Sequence, residues 1–181
     1  LIIYLAYSIG MLSSVVSSPY HSLEQATALV TTDSGAGTAF LVGSKKLLTA
    51  RHVVEDVQIG AEVNLLFEQL TPQVNTKAIL KWKDDTIYPS NNMIDFFLTD
   101  VAVLELVEPS LVRKISPLML GNSDEVPTLT PIIAIGYPGG SYSITRGDIN
   151  SNQIDNKELF KIDAATNPGN SGGPVLSEED E

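Results

Sequence analysis

Residues 166–174 read Thr-Asn-Pro-Gly-Asn-Ser-Gly-Gly-Pro, which sets Ser171 between glycines on a segment with almost no side-chain bulk. Glycine opens backbone conformations that a Cβ forbids. A backbone so freed can aim main-chain N–H groups at one point, which is what an oxyanion needs. A serine hydroxyl is a poor nucleophile without a base. The chain has two histidines. His52 follows an apolar run in Leu-Leu-Thr-Ala-Arg-His-Val-Val, whereas His21 lies in Ser-Pro-Tyr-His-Ser and reads as a solvated linker residue. An imidazole acting as base needs a carboxylate to fix its tautomer. Asp84, Asp85 and Asp95 compete for that part from a polar stretch, but Asp100 directly heads Val101-Ala102-Val103-Leu104, a strand that would hold it still. His52, Asp100 and Ser171 therefore form a candidate constellation for acyl transfer.

The surrounding sequence predicts strands. Ala28–Thr32, Gly37–Val42 and Lys46–Thr49 are short β-prone runs between Gly and Ser turns. Val63, Leu65 and Phe67 alternate along Ala61–Phe67 as in a half-buried strand, and Ala78, Leu80 and Trp82 are expected on one face of Thr76–Trp82. Residues 84–95 read as an exposed loop around Pro89-Ser90-Asn91-Asn92. Ser110–Leu120 reads as a crossover, since Pro117 rules out a central strand. Pro131–Gly136, Ser141–Thr145, Ile149–Ile154 and Leu159–Ile162 read as later strands. Only Ala50–Val57 is expected to form a short helix outside the N-terminal segment.

From Thr27 to Val175 the chain resembles the trypsin-like serine protease superfamily, most nearly bacterial-type enzymes of the HtrA/DegP kind. Gly35-Ala36-Gly37-Thr38-Ala39-Phe40-Leu41-Val42 resembles the strand ahead of the catalytic histidine, and Leu48-Thr49-Ala50-Arg51-His52-Val53-Val54 the histidine segment itself. Thr99–Leu106 resembles the aspartate strand. Ile135-Gly136-Tyr137-Pro138-Gly139-Gly140, followed by Ser143-Ile144-Thr145-Arg146-Gly147, resembles a stretch of the second barrel. Asp163 to Pro174 resembles the nucleophile loop almost residue for residue. The order His, Asp, Ser is that of the chymotrypsin group.

The resemblance implies an all-β fold of two Greek-key β-barrels with the three residues meeting in the cleft between them. It implies a serine endopeptidase with a backbone oxyanion hole at Gly169, Asn170 and Ser171, and a substrate pocket at Ala165 and Thr166. Ala165 stands at the pocket base and carries no charge, which disfavours Arg or Lys and suits a small or medium aliphatic residue. Some members serve protein quality control. The alternative is a silent module on the same fold that binds peptides or partners, although such a module has no chemical need for all three residues. The expected organisation is residues 1–18 as an apolar leader or anchor, 19–112 as the first barrel with His52 and Asp100, and 113–181 as the second with Ser171. The family continues past the nucleophile loop with further strands, so the second barrel is expected to be incomplete.

Composition excludes other classes. The 181 residues are 43% hydrophobic, near the globular norm. Eleven Lys and Arg against 22 Asp and Glu give a formal charge of −11, the wrong sign for phosphate-backbone binding, so no nucleic-acid partner is expected. With no cysteine there are no disulfides or thiolate metal sites, and no metal or other cofactor is expected. Protein or peptide substrates are the implied partners, and no motif fixes an oligomeric state. Leu1–Val16 is uncharged and apolar but shorter than the roughly 20 residues that span a bilayer. With small residues at Val16-Ser17-Ser18 it reads as an export signal, or else as a cut-short anchor or a buried strand. Membrane association is confined to it, and the location it implies is secreted, periplasmic or envelope-associated.

Overall fold

A computed structural model describes residues 18–86, 93–154 and 156–178. Residues 1–17 of the expected leader, the Pro89–Asn92 turn and residues 179–181 lie outside the described residues. Six antiparallel strands, β1 (Thr27–Thr32), β2 (Gly35–Leu41), β3 (Lys46–Thr49), β4 (Glu62–Phe67), β5 (Val74–Lys83) and β6 (Ala102–Leu106), close into a barrel in the order β1-β2-β3-β6-β5-β4. A second sheet has the order β10-β7-β8-β9, from β7 (Pro131–Gly136), β8 (Ser143–Ser151), β9 (Lys161–Ile162) and β10 (Val175–Ser177). This is the all-β, two-part architecture expected, with the second part an open sheet among the described residues.

The barrel closes because alternate side chains along its strands turn into one apolar core. On β4 Val63, Leu65 and Phe67 point inward, and on β6 Ala102, Leu104 and Leu106 do the same. Alternation fails at one place the sequence made look regular. Ala78 and Leu80 are wholly buried, but Trp82 is 46% exposed. The pairing of β5 with β6 shifts between Leu80 and Trp82, and a bulge of this kind sends the following side chains to the opposite face.

The crossover returns to the first barrel, where Val112 and Leu118 join its core and the Leu118 N–H donates to the Leu41 carbonyl at 2.8 Å. The strand β7 is buried on both faces, with Ile133 and Ile135 as inaccessible as Ile132, because β1 and β2 pack against it. The two runs expected at Ser141–Thr145 and Ile149–Ile154 are instead one strand, β8.

Two short helices were not expected. His21–Gln25 forms α1 where a linker was expected, and Met93–Phe97 forms α2 across the end of the expected loop. The expected helix at Ala50–Val57 is only a 3₁₀ turn, Arg51–Val54. Five residues are too few for a helix to hold itself in water, so tertiary contacts must hold α1. Its buried Glu24 accepts a 2.7 Å hydrogen bond from the Tyr142 hydroxyl, and Tyr20 just before it donates to Glu178 at 2.7 Å. Helix α1 thus straps the start of the first barrel to the second sheet. His21 stays exposed, as expected for a surface residue, near Gln25 and Glu24.

Leu104→Ala removes a fully buried side chain and should cost about 2–5 kcal/mol, read from the urea midpoint. Trp82→Ala, on the outward face, should cost less than about 1 kcal/mol by the same measurement. Burial also pushes the Tyr137 and Tyr142 phenols above their ordinary value of 10.0, with the Glu24 bond adding to Tyr142. Folded chain then keeps protons that unfolded chain loses, so this stabilisation is complete below pH 10 and declines above it. Tyr137→Phe gives up a long 3.4 Å bond to the Thr27 carbonyl and the hydrogen bond from the Glu68 backbone, and should flatten the alkaline decline in urea midpoint between about pH 9 and 11.

Candidate active site

The barrel register brings His52 and Asp100 together. Strands β3 and β6 are antiparallel neighbours with Thr49 opposite Ala102. His52 lies just beyond the end of β3 and Asp100 just before the start of β6, so both leave the barrel at the same rim. The His52 N–H donates to Asp100 Oδ1 at 2.9 Å, and His52 Nδ1 lies 2.6 Å from Asp100 Oδ2. An ionised carboxylate can only accept, so Nδ1 carries the proton and Nε2 presents its lone pair. The Asp100 side chain is 8% exposed and that of His52 34%, which leaves the pair anchored below and open above.

The turn that carries His52 is supported from two sides. The Lys83 ammonium, at the end of β5, donates to the Glu55 and Val57 carbonyls at 2.6 and 2.9 Å. The Phe96 ring lies 6.0 Å from the His52 ring, and the Arg51 guanidinium covers Phe96 at 5.1 Å. Of the competing acids, Asp84 is occupied elsewhere. Hydrogen bonds from the Thr86 hydroxyl and N–H lower its pKa, the N–H bond measuring 2.9 Å.

Ser171 reaches the same rim from the second sheet. Its carbonyl accepts the Thr38 N–H at 2.8 Å. The next residue, Gly172, has φ +82°, and a Cβ there would stand 2.3 Å from the Thr38 carbonyl and 2.6 Å from the Ala50 N, two residues before His52. Such an approach is open only to glycine. Among the described residues the Ser171 hydroxyl makes no hydrogen bond to the His52 ring. Catalytic bonds of this type are commonly long without substrate and tighten when it binds.

The loop before Ser171 has a defined backbone. The Gly139 N–H donates to the Pro168 carbonyl at 3.0 Å. The N–H of a trans peptide points opposite to its carbonyl, so the Gly169 N–H faces away from Gly139. Gly169 has φ +108°, and a Cβ on it would lie 2.3 Å from the Tyr137 carbonyl. Asn170 corrects the sequence reading: its N–H is spent on the Asn167 carbonyl at 3.0 Å and cannot serve as an oxyanion donor. The Gly169 and Ser171 amides make no hydrogen bond among the described residues.

An open cleft of about 510 Å3 runs along Thr166, Asn167, Pro168, Asn170 and Ser171. Ala165 is exposed, is not part of the cleft's lining, and accepts the Thr145 hydroxyl at 3.0 Å through its carbonyl. Among the described residues no group of His, Asp and Glu side chains is arranged to hold a metal. Sequence reasoning passed over Thr38 and Lys83. Thr38 stood only as a strand position, and nothing in the linear pattern marks a threonine whose partners lie about a hundred residues away.

In sequence the chain is similar to Do-like and DegP-like proteases. The chain is 30% identical over 159 residues to Protease Do-like 2, chloroplastic, of Arabidopsis thaliana, covering 82% of this chain and 23% of the relative. It is 33% identical over 149 residues to the probable periplasmic serine endoprotease DegP-like of Chlamydia pneumoniae, covering 78% and 26%. It thus spans about a quarter of the length of these relatives. Among solved structures it is similar to the HtrA-type protease AlgW with tripeptide, with a TM-score of 0.65 at 25% identity over 88% of this chain and 50% of that one. The Deg5 crystal structure shares the fold, with a TM-score of 0.62 at 23% identity over 87% and 77%. A family model described as the trypsin-like peptidase domain matches residues 37–181, and the chain belongs to that family.

Proposed function

We propose that this chain is the catalytic part of a serine endopeptidase that cuts protein or peptide substrates. The observation that carries the reading is the His52–Asp100 pair, bonded at 2.6 Å, on the rim against which the Ser171 backbone is docked. In this reading Ser171 Oγ attacks the peptide carbonyl. His52 Nε2 takes the hydroxyl proton and returns it to the leaving amine, while Asp100 stays ionised and steadies the imidazolium. The tetrahedral oxygen is received by the Gly169 and Ser171 N–H groups. Each such donor lowers the barrier by roughly 3–4 kcal/mol.

Substrate preference follows from what lines the nucleophile loop. Thr166, Asn167 and Asn170 along the cleft are neutral. A buried cation on the substrate would find no counter-charge, so a small or medium aliphatic residue before the scissile bond is favoured. Residues 1–18 act as an export or targeting leader, in keeping with relatives whose names place one in a chloroplast and one in a periplasm. The two halves, 19–112 and 113–181, meet at the catalytic cleft. A role in protein quality control is the part of the proposal that rests on resemblance alone.

Labelling with a fluorophosphonate probe tests the chemistry. The chain should be labelled, Ser171→Ala should lose the label, and Asp100→Asn should label more slowly by up to roughly 10⁴-fold, the loss seen in the archetypal triad. A folded chain that stays unlabelled would leave the silent binding module as the better reading.

A further inference from the structure

Thr38 is wholly buried in the first barrel, yet its hydroxyl is not used there. It donates to the Gly169 carbonyl at 2.8 Å and accepts the Tyr137 N–H at 3.1 Å. A hydroxyl has one proton and two lone pairs, so both bonds form together. The two partners belong to the two segments that shape the ground in front of Ser171. One is the nucleophile loop through Gly169. The other is the Tyr137–Gly140 turn, whose Gly139 N–H holds the Pro168 carbonyl at 3.0 Å. The carbonyls on either side of Gly169 are therefore both restrained, Pro168 from the turn and Gly169 from Thr38.

Those restraints bear on one torsional freedom. Glycine crosses between backbone regions with little steric cost. If the Pro168–Gly169 peptide rotated, its carbonyl would turn toward the reacting centre and its N–H away from it. An acceptor would then face the developing negative charge where a donor is required.

We propose that Thr38 is a positioning residue for the oxyanion hole: its hydroxyl clamps the Gly169 carbonyl and the Tyr137 turn together, keeping the Gly169 N–H aimed at the reacting oxygen. The inference rests on the peptidase reading above for its catalytic consequence, while the clamp itself is a matter of structure. A threonine that only filled the barrel wall would be replaced without catalytic loss by valine, which has its shape. A threonine that acts through its hydroxyl would be replaced by serine.

The test compares Thr38→Val and Thr38→Ser in the full chain with a chromogenic peptide ester. Thr38→Val should lower kcat by roughly 10²-fold, the order of losing one oxyanion donor, with KM within about twofold of the parent. Thr38→Ser should recover most of that loss. A second readout needs no activity: exchange of the Gly139 amide, followed by NMR, should be at least roughly tenfold faster in Thr38→Val and near the parent rate in Thr38→Ser. If Thr38→Val does not fold, Thr38→Ala is read in the same way. A valine variant with parental kcat, or a serine variant as impaired as valine, overturns the proposal. If the parent chain itself turns over no ester, the peptidase reading fails, and unchanged Gly139 exchange in Thr38→Val would then separately overturn the clamp.

Discussion

The Thr38 N–H meets the Ser171 carbonyl at 2.8 Å, and the Gly172 backbone lies so close to Thr38 and Ala50 that no side chain fits between them. This backbone-to-backbone docking is the constraint on which the rest depends. The candidate nucleophile comes from the second sheet, and the candidate base and acid from the first barrel. Neither half holds the constellation alone. Apolar packing between β7 and strands β1 and β2 brings the halves together, but such packing tolerates sliding because it has no direction. Hydrogen bonds do have direction, and one threonine makes three of them at the seam, its N–H donating to Ser171 and its hydroxyl donating to Gly169 and accepting from Tyr137, while its carbonyl accepts the Thr49 hydroxyl within the barrel at 2.7 Å.

The first barrel does its part through register. With Thr49 opposite Ala102, the chain leaving β3 and the chain entering β6 emerge side by side. His52 and Asp100 meet because that register is fixed, and it is fixed because a slip of one residue would turn Leu104 and Leu47 out of the core. The hydrophobic pattern of two strands therefore determines a polar distance of 2.6 Å at their ends. Lys83 reinforces this from a third strand by capping the carbonyls of the His52 turn.

What was legible in the sequence was what is local. Alternation on β4 and β6 marks the strands because each residue's side follows from its neighbour's. The glycines around Ser171 mark a close approach because no other residue permits one. What escaped was what pairing decides. Trp82 continues an apolar alternation in sequence, but a bulge against β6 turns it out to solvent. Helix α1 lacks the length to announce itself and exists because Glu24 finds Tyr142 across the molecule. Asn170 stands among the loop residues as a plausible donor until its N–H is found closed into a turn with Asn167. In each case the deciding partner is remote in sequence or hidden in backbone torsion.

The buried Glu24–Tyr142 bond shows how far this reliance on polar seams extends. A carboxylate on α1 is a costly group to bury, and the phenol that satisfies it rises directly from the end of the Tyr137–Gly140 turn. Tyr142 also packs edge-on against Tyr137 at 6.0 Å, and the Tyr137 carbonyl is the surface that Gly169 lies on. The strap before the first barrel, the turn of the second sheet and the loop before Ser171 are therefore consecutive layers of one stack. An apolar pair in place of Glu24 and Tyr142 would bury similar area but leave the turn free to shift along the helix. The hydrogen bond fixes where along α1 the turn must stop, and with it the surface on which the nucleophile loop rests.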